Sequence, residues 1–151
     1  MVRLSHVVAS LATGVCLMAV SAGAVSAQQT FNTIMSARVE GGGKTPIWFA
    51  YAIEENCEVR RGFNMRVDRL PKHGEAGIER SNRYVEHWWI SRAPSPEMRR
   101  NVANCVGRAV PVLQLYYTPN PGFSGFDDMQ ITITSVSRER VTHREIKLSV
   151  R

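Results

Sequence analysis

The stretch from Tyr116 to Ile133, "YYTPNPGFSGFDDMQITI", joins two tyrosines to a cluster of Pro, Asn, Gly and Ser and then to a plain alternation of apolar and polar residues. Pro119 and Pro121 fix the backbone angle φ and lack an amide donor, so we expect them to end the strand that contains the tyrosines. Gly122 and Gly125 allow a tight turn where a side chain would clash. The stretch therefore predicts a strand, a compact corner and a second strand.

Two acidic residues, Asp127 and Asp128, stand where the second strand begins. A carboxylate in this position can accept backbone amide hydrogen bonds or bind a cation. Calcium takes six or more oxygen ligands, and no other carboxylates cluster nearby in the sequence, so we favour capping of the turn and keep calcium as the weaker alternative. Phe123 and Phe126 are expected to close the end of the core.

Alternation of apolar and polar residues marks further strands, because successive side chains of a strand point to opposite faces. Three segments alternate strictly: "FNMRVDRL" (63–70), "MQITITSV" (129–136) and "REIKLSV" (144–150). Two are more apolar and are expected to lie deeper: "PIWFAYAI" (46–53) and "VPVLQLYY" (110–117). A shorter strand is predicted through "RYVEHWWI" (83–90).

Turn clusters rich in Gly and Pro separate these segments, and six to eight short strands arranged in this way predict an all-β domain, either a β-sandwich or a small barrel. We find no internal repeat and no linker. Within the region 80–110, "SPEMRRNVANCV" is the one segment that hints at a helix, since Ser95 suits the N-cap and Pro96 the first turn. We expect one short helix or an irregular loop there.

The first 27 residues have the pattern of a cleaved secretory signal peptide. One cation, Arg3, precedes an apolar run of small and aliphatic residues, and Val25 and Ala27 suit cleavage after Ala27. The run is too short for a membrane-spanning helix, which needs about 20 apolar residues. The sequence thus predicts a mature chain of residues 28–151 that forms a single domain in the periplasm or outside the cell and is not an integral membrane protein.

Composition adds a disulfide and a basic charge. Cys57 and Cys105 are the two cysteines of the predicted mature chain, and an even number in an exported protein indicates a disulfide. The whole chain has a formal net charge of +6, which becomes +5 when Arg3 is removed with the leader. Such an excess is compatible with anionic partners, but because it is modest we favour the interpretation that it serves ordinary solubility.

The corner also resembles a known family. Its pattern Tyr-x-Pro, a short turn and Gly-Phe-x-Gly-x-Asp is similar to that of the bacterial immunoglobulin-like and cadherin-like domains of secreted and surface proteins. An upstream Pro-x-His-Gly turn matches as well. The matching residues are Pro71, His73, Gly74, Tyr117, Pro119, Gly122, Phe123, Gly125 and Asp127. The resemblance covers about Val59 to Val150 and implies a single seven-stranded antiparallel β-sandwich, interrupted by the 80–110 insert.

The insert offers the most suggestive surface of the chain. Trp88 and Trp89 are adjacent on the predicted strand, so one is expected to point outward if the other is buried. Four arginines follow in the same segment, Arg92, Arg99, Arg100 and Arg108, and the first three are assigned with the tryptophans to a candidate binding surface. An exposed tryptophan beside arginines suits an envelope glycan, an anionic lipid surface or a protein partner. The alternative is that the insert folds back over an edge of the sheet.

Signatures of enzymes and cofactors are weak. "GGGKT" (41–45) lacks the first glycine of a phosphate-binding loop and precedes a proline, so we expect no nucleotide and no other cofactor. The histidines of the mature chain are His73, His87 and His143, and their spacing is not that of a zinc site. The sequence therefore predicts a non-catalytic binding or structural module. The alternative is a small exported enzyme or metal-dependent protein with a site formed by the 80–110 insert and the histidines.

Overall fold

The computed structural model describes residues 29–135 and 140–151. The predicted signal peptide lies outside the described residues. Seven strands and two helices follow one another: β1 (Gln29–Val39), β2 (Thr45–Ala50), β3 (Phe63–Arg69), β4 (Gly74–Tyr84), α1 (Trp88–Arg92), α2 (Pro96–Asn104), β5 (Ala109–Pro119), β6 (Gly125–Ser135) and β7 (Arg140–Val150).

The strands form two sheets that pack face to face. The four-stranded sheet has the order β1-β7-β6-β3, and the three-stranded sheet has the order β2-β5-β4. Four of the described strand pairings are antiparallel, and the pairing of β1 with β7 is parallel. The predicted β-sandwich is confirmed, with one parallel edge pairing that alternation could not predict.

The main core lies between the sheets and follows the predicted alternation. Its buried residues come from both sheets and are Val39, Ala50, Met65, Leu113, Leu115, Tyr117, Met129, Ile131, Ile146, Leu148 and Val150. Phe123 packs against this cluster, whereas Phe126 is 84% exposed. The prediction that both phenylalanines close the core is therefore wrong for Phe126, because it lies on the outer side of β6 while Asp127 points inward.

Two helices lie between β4 and β5. β4 includes Arg83 and Tyr84 and ends there, and Trp88 and Trp89 open α1, so the strand predicted through 83–90 is wrong beyond Tyr84. Buried Trp89 and Ala93 are four residues apart, a spacing that suits a helical turn. The predicted helix at Ser95 is confirmed: the side chain of Ser95 accepts the amide of Met98 at 3.1 Å, and Pro96 begins α2.

A second cluster of buried residues joins the helices to the ends of β2 and β5. It contains Ala52, Ile53, Cys57, Val85, Trp89, Ala93, Met98, Val102, Cys105, Val110 and Val112. The predicted disulfide between Cys57 and Cys105 is formed, with 5.6 Å between the Cα atoms. Buried Arg60 adds ion pairs to Glu54 (3.1 Å) and Glu97 (2.6 Å). The helices are thus held firmly to one end of the sandwich.

The turn at Gly41–Gly43 leads into strand β2. A phosphate-binding loop would lead into a helix there, so the structure agrees with the prediction that "GGGKT" is not such a loop. Among the described helices, neither is long and apolar enough to span a membrane.

Candidate functional site

The core-facing side of β7 changes along the strand from apolar residues to residues that include two arginines. Ile146, Leu148 and Val150 are buried in the main core. Because side chains alternate along a strand, Arg144, Thr142 and Arg140 continue the same side toward the start of β7. Arginines are rarely placed on a core face, since removing their charge from water is costly. Their position therefore marks this end of the sandwich as a candidate site.

The arginines line a cleft of about 280 Å³ between the two sheets, next to the first helix. Its walls are formed mainly by aromatic and aliphatic side chains from both sheets, with a few hydroxyl groups. The aromatic residues are Phe31, Trp48, Phe49, Tyr51 and Phe63. The polar residues are Thr33, Arg92, Ser135, Arg140, Thr142 and Arg144. An apolar cleft with a few polar groups is the usual form of a small-molecule site.

Arg144 is held at the inner part of the cleft. Its guanidinium lies over the Trp48 ring, 4.4 Å from the ring centre. Its Nε donates to Oγ1 of Thr33 at 2.9 Å, and Nη1 lies 3.9 Å from the sulfur of Met35. Burial lowers the pKa of Arg144 below the ordinary arginine value, but a guanidinium stays protonated in proteins. Arg144 is therefore a positioned, half-buried cation.

The guanidinium of Arg140 covers the Phe31 ring at 4.1 Å. Its Nε atom is buried, as is the hydroxyl of the cross-strand neighbour Ser135, and neither has a hydrogen-bond partner within residues 29–135 and 140–151. In the same described residues no carboxylate pairs with Arg140 or Arg144. Arg140 and Arg144 are thus cleft cations whose charge the described side chains do not neutralise.

The insert contributes one end of the cleft and divides the surface predicted from the sequence. Trp89 is fully buried and stacks on Tyr51 with 4.7 Å between ring centres, whereas Trp88 is 42% exposed. The guanidinium of Arg92 lies over the Trp88 ring at 5.4 Å and also lines the cleft. The prediction that one tryptophan points outward is confirmed, but the pair belongs to a helix.

The other two predicted arginines lie away from the cleft. Arg99 and Arg100 are exposed on the second helix. Arg100 borders a separate hollow whose other charged residues are acidic: Glu54, Glu55 and Glu97. The structure therefore does not bring the five residues of the predicted surface into one site.

The corner aspartates have structural partners. Asp127 accepts the amides of Lys72 (2.9 Å), His73 (2.8 Å) and Asp128 (2.8 Å) and the hydroxyl of Tyr117 (3.0 Å). Asp128 pairs with Arg69. These contacts use the carboxylate oxygens that a calcium ion would need, so the geometry favours the capping role over the calcium alternative.

The histidines lie on different elements. His73 stacks on Phe123 in the corner with 4.4 Å between ring centres, and His87 stands at the N-cap of α1. Nδ1 of His143 lies 2.7 Å from the hydroxyl of Thr132 on the outer face of the four-stranded sheet. The described residues contain no group of three His, Cys, Asp or Glu side chains that could hold a metal. The insert and the histidines do not form the joint site of the alternative hypothesis.

Of the cleft residues only Arg92 was predicted from the sequence, although one signal for the others was present. In "RVTHREIKLSV" every second residue lies on the same face of the strand. The face that carries Ile146, Leu148 and Val150 therefore also carries Arg144 and Arg140. A core stripe that ends in two arginines indicates a polar site at the end of a sheet. The partners on β1 and β2 could not be found in this way, because they are distant in sequence.

Comparison of the chain with protein-family models, with curated proteins and with solved structures finds no match.

Proposed function

We propose that this protein is an exported, non-catalytic immunoglobulin-like module of the bacterial envelope that acts by binding, and that the cleft between its sheets is the binding site. One observation carries the proposal: Arg140 and Arg144 occupy the core face of β7 in an aromatic-lined cleft, without carboxylate partners among the described residues. Cations that the described side chains do not neutralise are suited to an anionic ligand.

The chemistry of the cleft supports binding over catalysis. It presents guanidinium groups, aromatic rings and the hydroxyls of Ser135 and Thr142. These groups can orient and hold an anion. A nucleophile needs an adjacent base, and the described lining contains neither histidine nor carboxylate.

Export is supported by the amino-terminal pattern and the disulfide. Residues 1–27 read as a leader, and a bond between Cys57 and Cys105 is stable in an oxidising compartment. Fractionation of bacteria that express the full chain with a carboxyl-terminal tag tests this part. We expect a mature protein that begins at Gln28 in the periplasm or medium. Full-length protein confined to the cytoplasm would contradict export.

Binding is tested with the purified mature chain. We would measure its capture by peptidoglycan, by phosphatidylglycerol vesicles and by an array of acidic and neutral glycans, at low and high salt. A double variant, Arg140→Gln with Arg144→Gln, is compared with a control of equal charge, Arg80→Gln with Arg99→Gln, whose exposed residues lie outside the cleft. We expect capture that the control retains and the cleft variant loses; equal capture by both variants would contradict the proposal.

A further inference from the structure

We infer that the cleft binds an amphipathic oxyanion: a carboxylate or phosphate head at the guanidinium groups of Arg140 and Arg144, with an apolar body along the aromatic walls. This inference rests on the proposed binding function and names the chemical class of the ligand.

The position of the head follows from the hydrogen-bond donors that have no acceptor among the described residues. A guanidinium has five N–H donors. Arg144 uses its Nε on Thr33 and directs Nη1 to Met35, and within residues 29–135 and 140–151 its other N–H groups have no acceptor, so they can bind a ligand. Arg140 makes a ring contact with Phe31, and its buried Nε has no partner in the described chain. A guanidinium matches the paired oxygens of a carboxylate or phosphate and often binds them through two hydrogen bonds.

Hydroxyl groups extend the donor set along the same side of β7. Thr142 lies between the two arginines in sequence and lines the cleft, and Ser135 pairs with Arg140 across the strands. The buried hydroxyl of Ser135 has no partner among the described residues. An oxyanion seated between the arginines would accept from these hydroxyls as well as from the guanidiniums. It would remove the cost of leaving the Ser135 hydroxyl and the Arg140 Nε without a partner among the described residues.

The apolar body follows from the rest of the lining. Beyond the arginines the walls are formed by rings and aliphatic side chains that include Trp48, Phe49, Phe63, Met98 and Ile133. A wholly hydrophilic anion such as free phosphate would leave this surface in contact with water. A short acyl chain would cover it and contribute about 0.8 kcal/mol for each buried methylene, a factor of about four in affinity.

The size of the cleft limits the ligand. Its volume of about 280 Å³ lies just below the range of roughly 300–1,000 Å³ that is usual for small-molecule sites. A single short acyl chain or one apolar side chain with a terminal carboxylate suits this volume better than a multi-chain lipid. The cleft thus suits a short amphipathic acid or the end of a longer one.

Isothermal titration calorimetry of the mature protein tests separately whether the cleft recognises the anionic head and the apolar body of the ligand. The probes are butanoate, hexanoate and octanoate, then octyl phosphate and uncharged 1-octanol, all below their aggregation limits. We expect affinity to rise with chain length by up to about fourfold per methylene and octanol to bind at least about tenfold more weakly than octanoate. Whichever of octanoate and octyl phosphate binds with higher affinity shows whether the cleft prefers a carboxylate or a phosphate head.

Each of the following results would overturn the inference. Equal affinities for octanol and octanoate would contradict recognition of an anionic head. An affinity that does not change with chain length would contradict binding of an apolar body. If neither octanoate nor octyl phosphate binds while the envelope fractions above are still captured through the arginines, this inference fails and the proposed function stands. If that capture is absent as well, both fail.

The location is tested with Thr142→Asp, which places a carboxylate between the two arginines. We expect the new carboxylate to pair with them and to reduce octanoate affinity at least about tenfold, with a melting temperature no lower than that of Thr142→Asn. The control Glu79→Asp lies on the exposed part of β4 and should bind octanoate as the wild type does. Unchanged binding by Thr142→Asp would place the ligand elsewhere and overturn the inference. Arg144→Lys keeps the charge and provides a second variant if others fail to fold.

Discussion

The hydroxyl of Tyr117 donates to Oδ2 of Asp127 at 3.0 Å, and the same carboxylate accepts the amides of Lys72 and His73. The strand that enters the corner, the strand that leaves it and the distant Pro-x-His-Gly turn are therefore joined at one buried carboxylate. The corner stabilises the end of the sandwich through these hydrogen bonds.

Replacing Asp127 should destabilise the fold without affecting the cleft. In Asp127→Ala the amides of Lys72 and His73 lose their acceptor, and we expect a loss of about 3 kcal/mol or more in the free energy of unfolding. Urea unfolding measures this loss. Asp127→Asn keeps one acceptor oxygen and should lose less. Loss of ligand capture at unchanged stability would show that the corner is a binding site.

The corner carboxylates should also make stability depend on acid pH. Burial raises the pKa of Asp127, but the hydrogen bonds from Lys72, His73, Asp128 and Tyr117 outweigh this effect, and the net pKa is lowered. A hydrogen bond from Arg69 lowers the pKa of Asp128. A group with a lowered folded pKa contributes its full stability above its unfolded pKa, about 3.9, and loses it as the pH falls through the folded value.

We therefore expect the free energy of unfolding to fall below about pH 4. Urea midpoints measured from about pH 6 to about pH 2 should show a steeper decline for the wild type than for Asp127→Asn. Identical slopes for the two proteins would mean that Asp127 does not have the lowered pKa.

The disulfide should contribute strongly to stability, because Cys57 and Cys105 are 48 residues apart. Chain-entropy estimates give about 4 kcal/mol for a loop of this length. We expect Cys57→Gly with Cys105→Ala to lower the free energy of unfolding by this amount, with the largest loss of amide-exchange protection in α1 and α2. Mass spectrometry of the exported protein should find no free thiol; two free thiols would contradict the bond.

The backbone at Cys57 provides an internal comparison. Its φ angle of 69° lies in the left-handed region, which glycine adopts without strain. Cys57→Ala with Cys105→Ala should therefore be less stable than the glycine variant by about 1 kcal/mol.

The two adjacent tryptophans should respond differently to truncation. Trp89 is fully buried against Phe49 and Tyr51, so Trp89→Ala should cost about 3–5 kcal/mol. Trp88 is 42% exposed, so Trp88→Ala should cost less than about 1 kcal/mol. Urea unfolding of the two single variants makes the comparison. Equal costs would contradict the assignment of Trp88 to the surface.

Gly74 should tolerate no side chain. A Cβ atom at this position would meet the carbonyl oxygen of Thr118 and lie 2.7 Å from Cε2 of Tyr117. We expect Gly74→Ala to destabilise the protein by about 2 kcal/mol or more. Gly77→Ala is the control on the same strand, because a Cβ there meets no atom within 4 Å and alanine loses less entropy on folding. Thermal melts measure the stability of both variants, and equal melting temperatures would contradict the steric explanation.

Local patterns in the sequence determined much of the fold. Alternation located β3, β6 and β7 because one face of each strand lies in water and the other in the core. The cap formed by Ser95 follows from local chemistry, and the pairing of Cys57 with Cys105 follows from the even cysteine count of the predicted mature chain. The same rules assigned Trp88 and Trp89 to a strand, where a short apolar run does not distinguish a strand from a helix.

The tertiary structure alone decided the parallel pairing of β1 with β7 and the composition of the cleft. Alternation assigns a side chain to a face of its sheet but does not identify the opposing sheet. Arg144 could be assigned to the core face of β7 from parity, whereas its contacts with Trp48 and Thr33 join residues about 100 positions apart. Such contacts arise from the packing of two sheets, a long-range arrangement that no local pattern encodes.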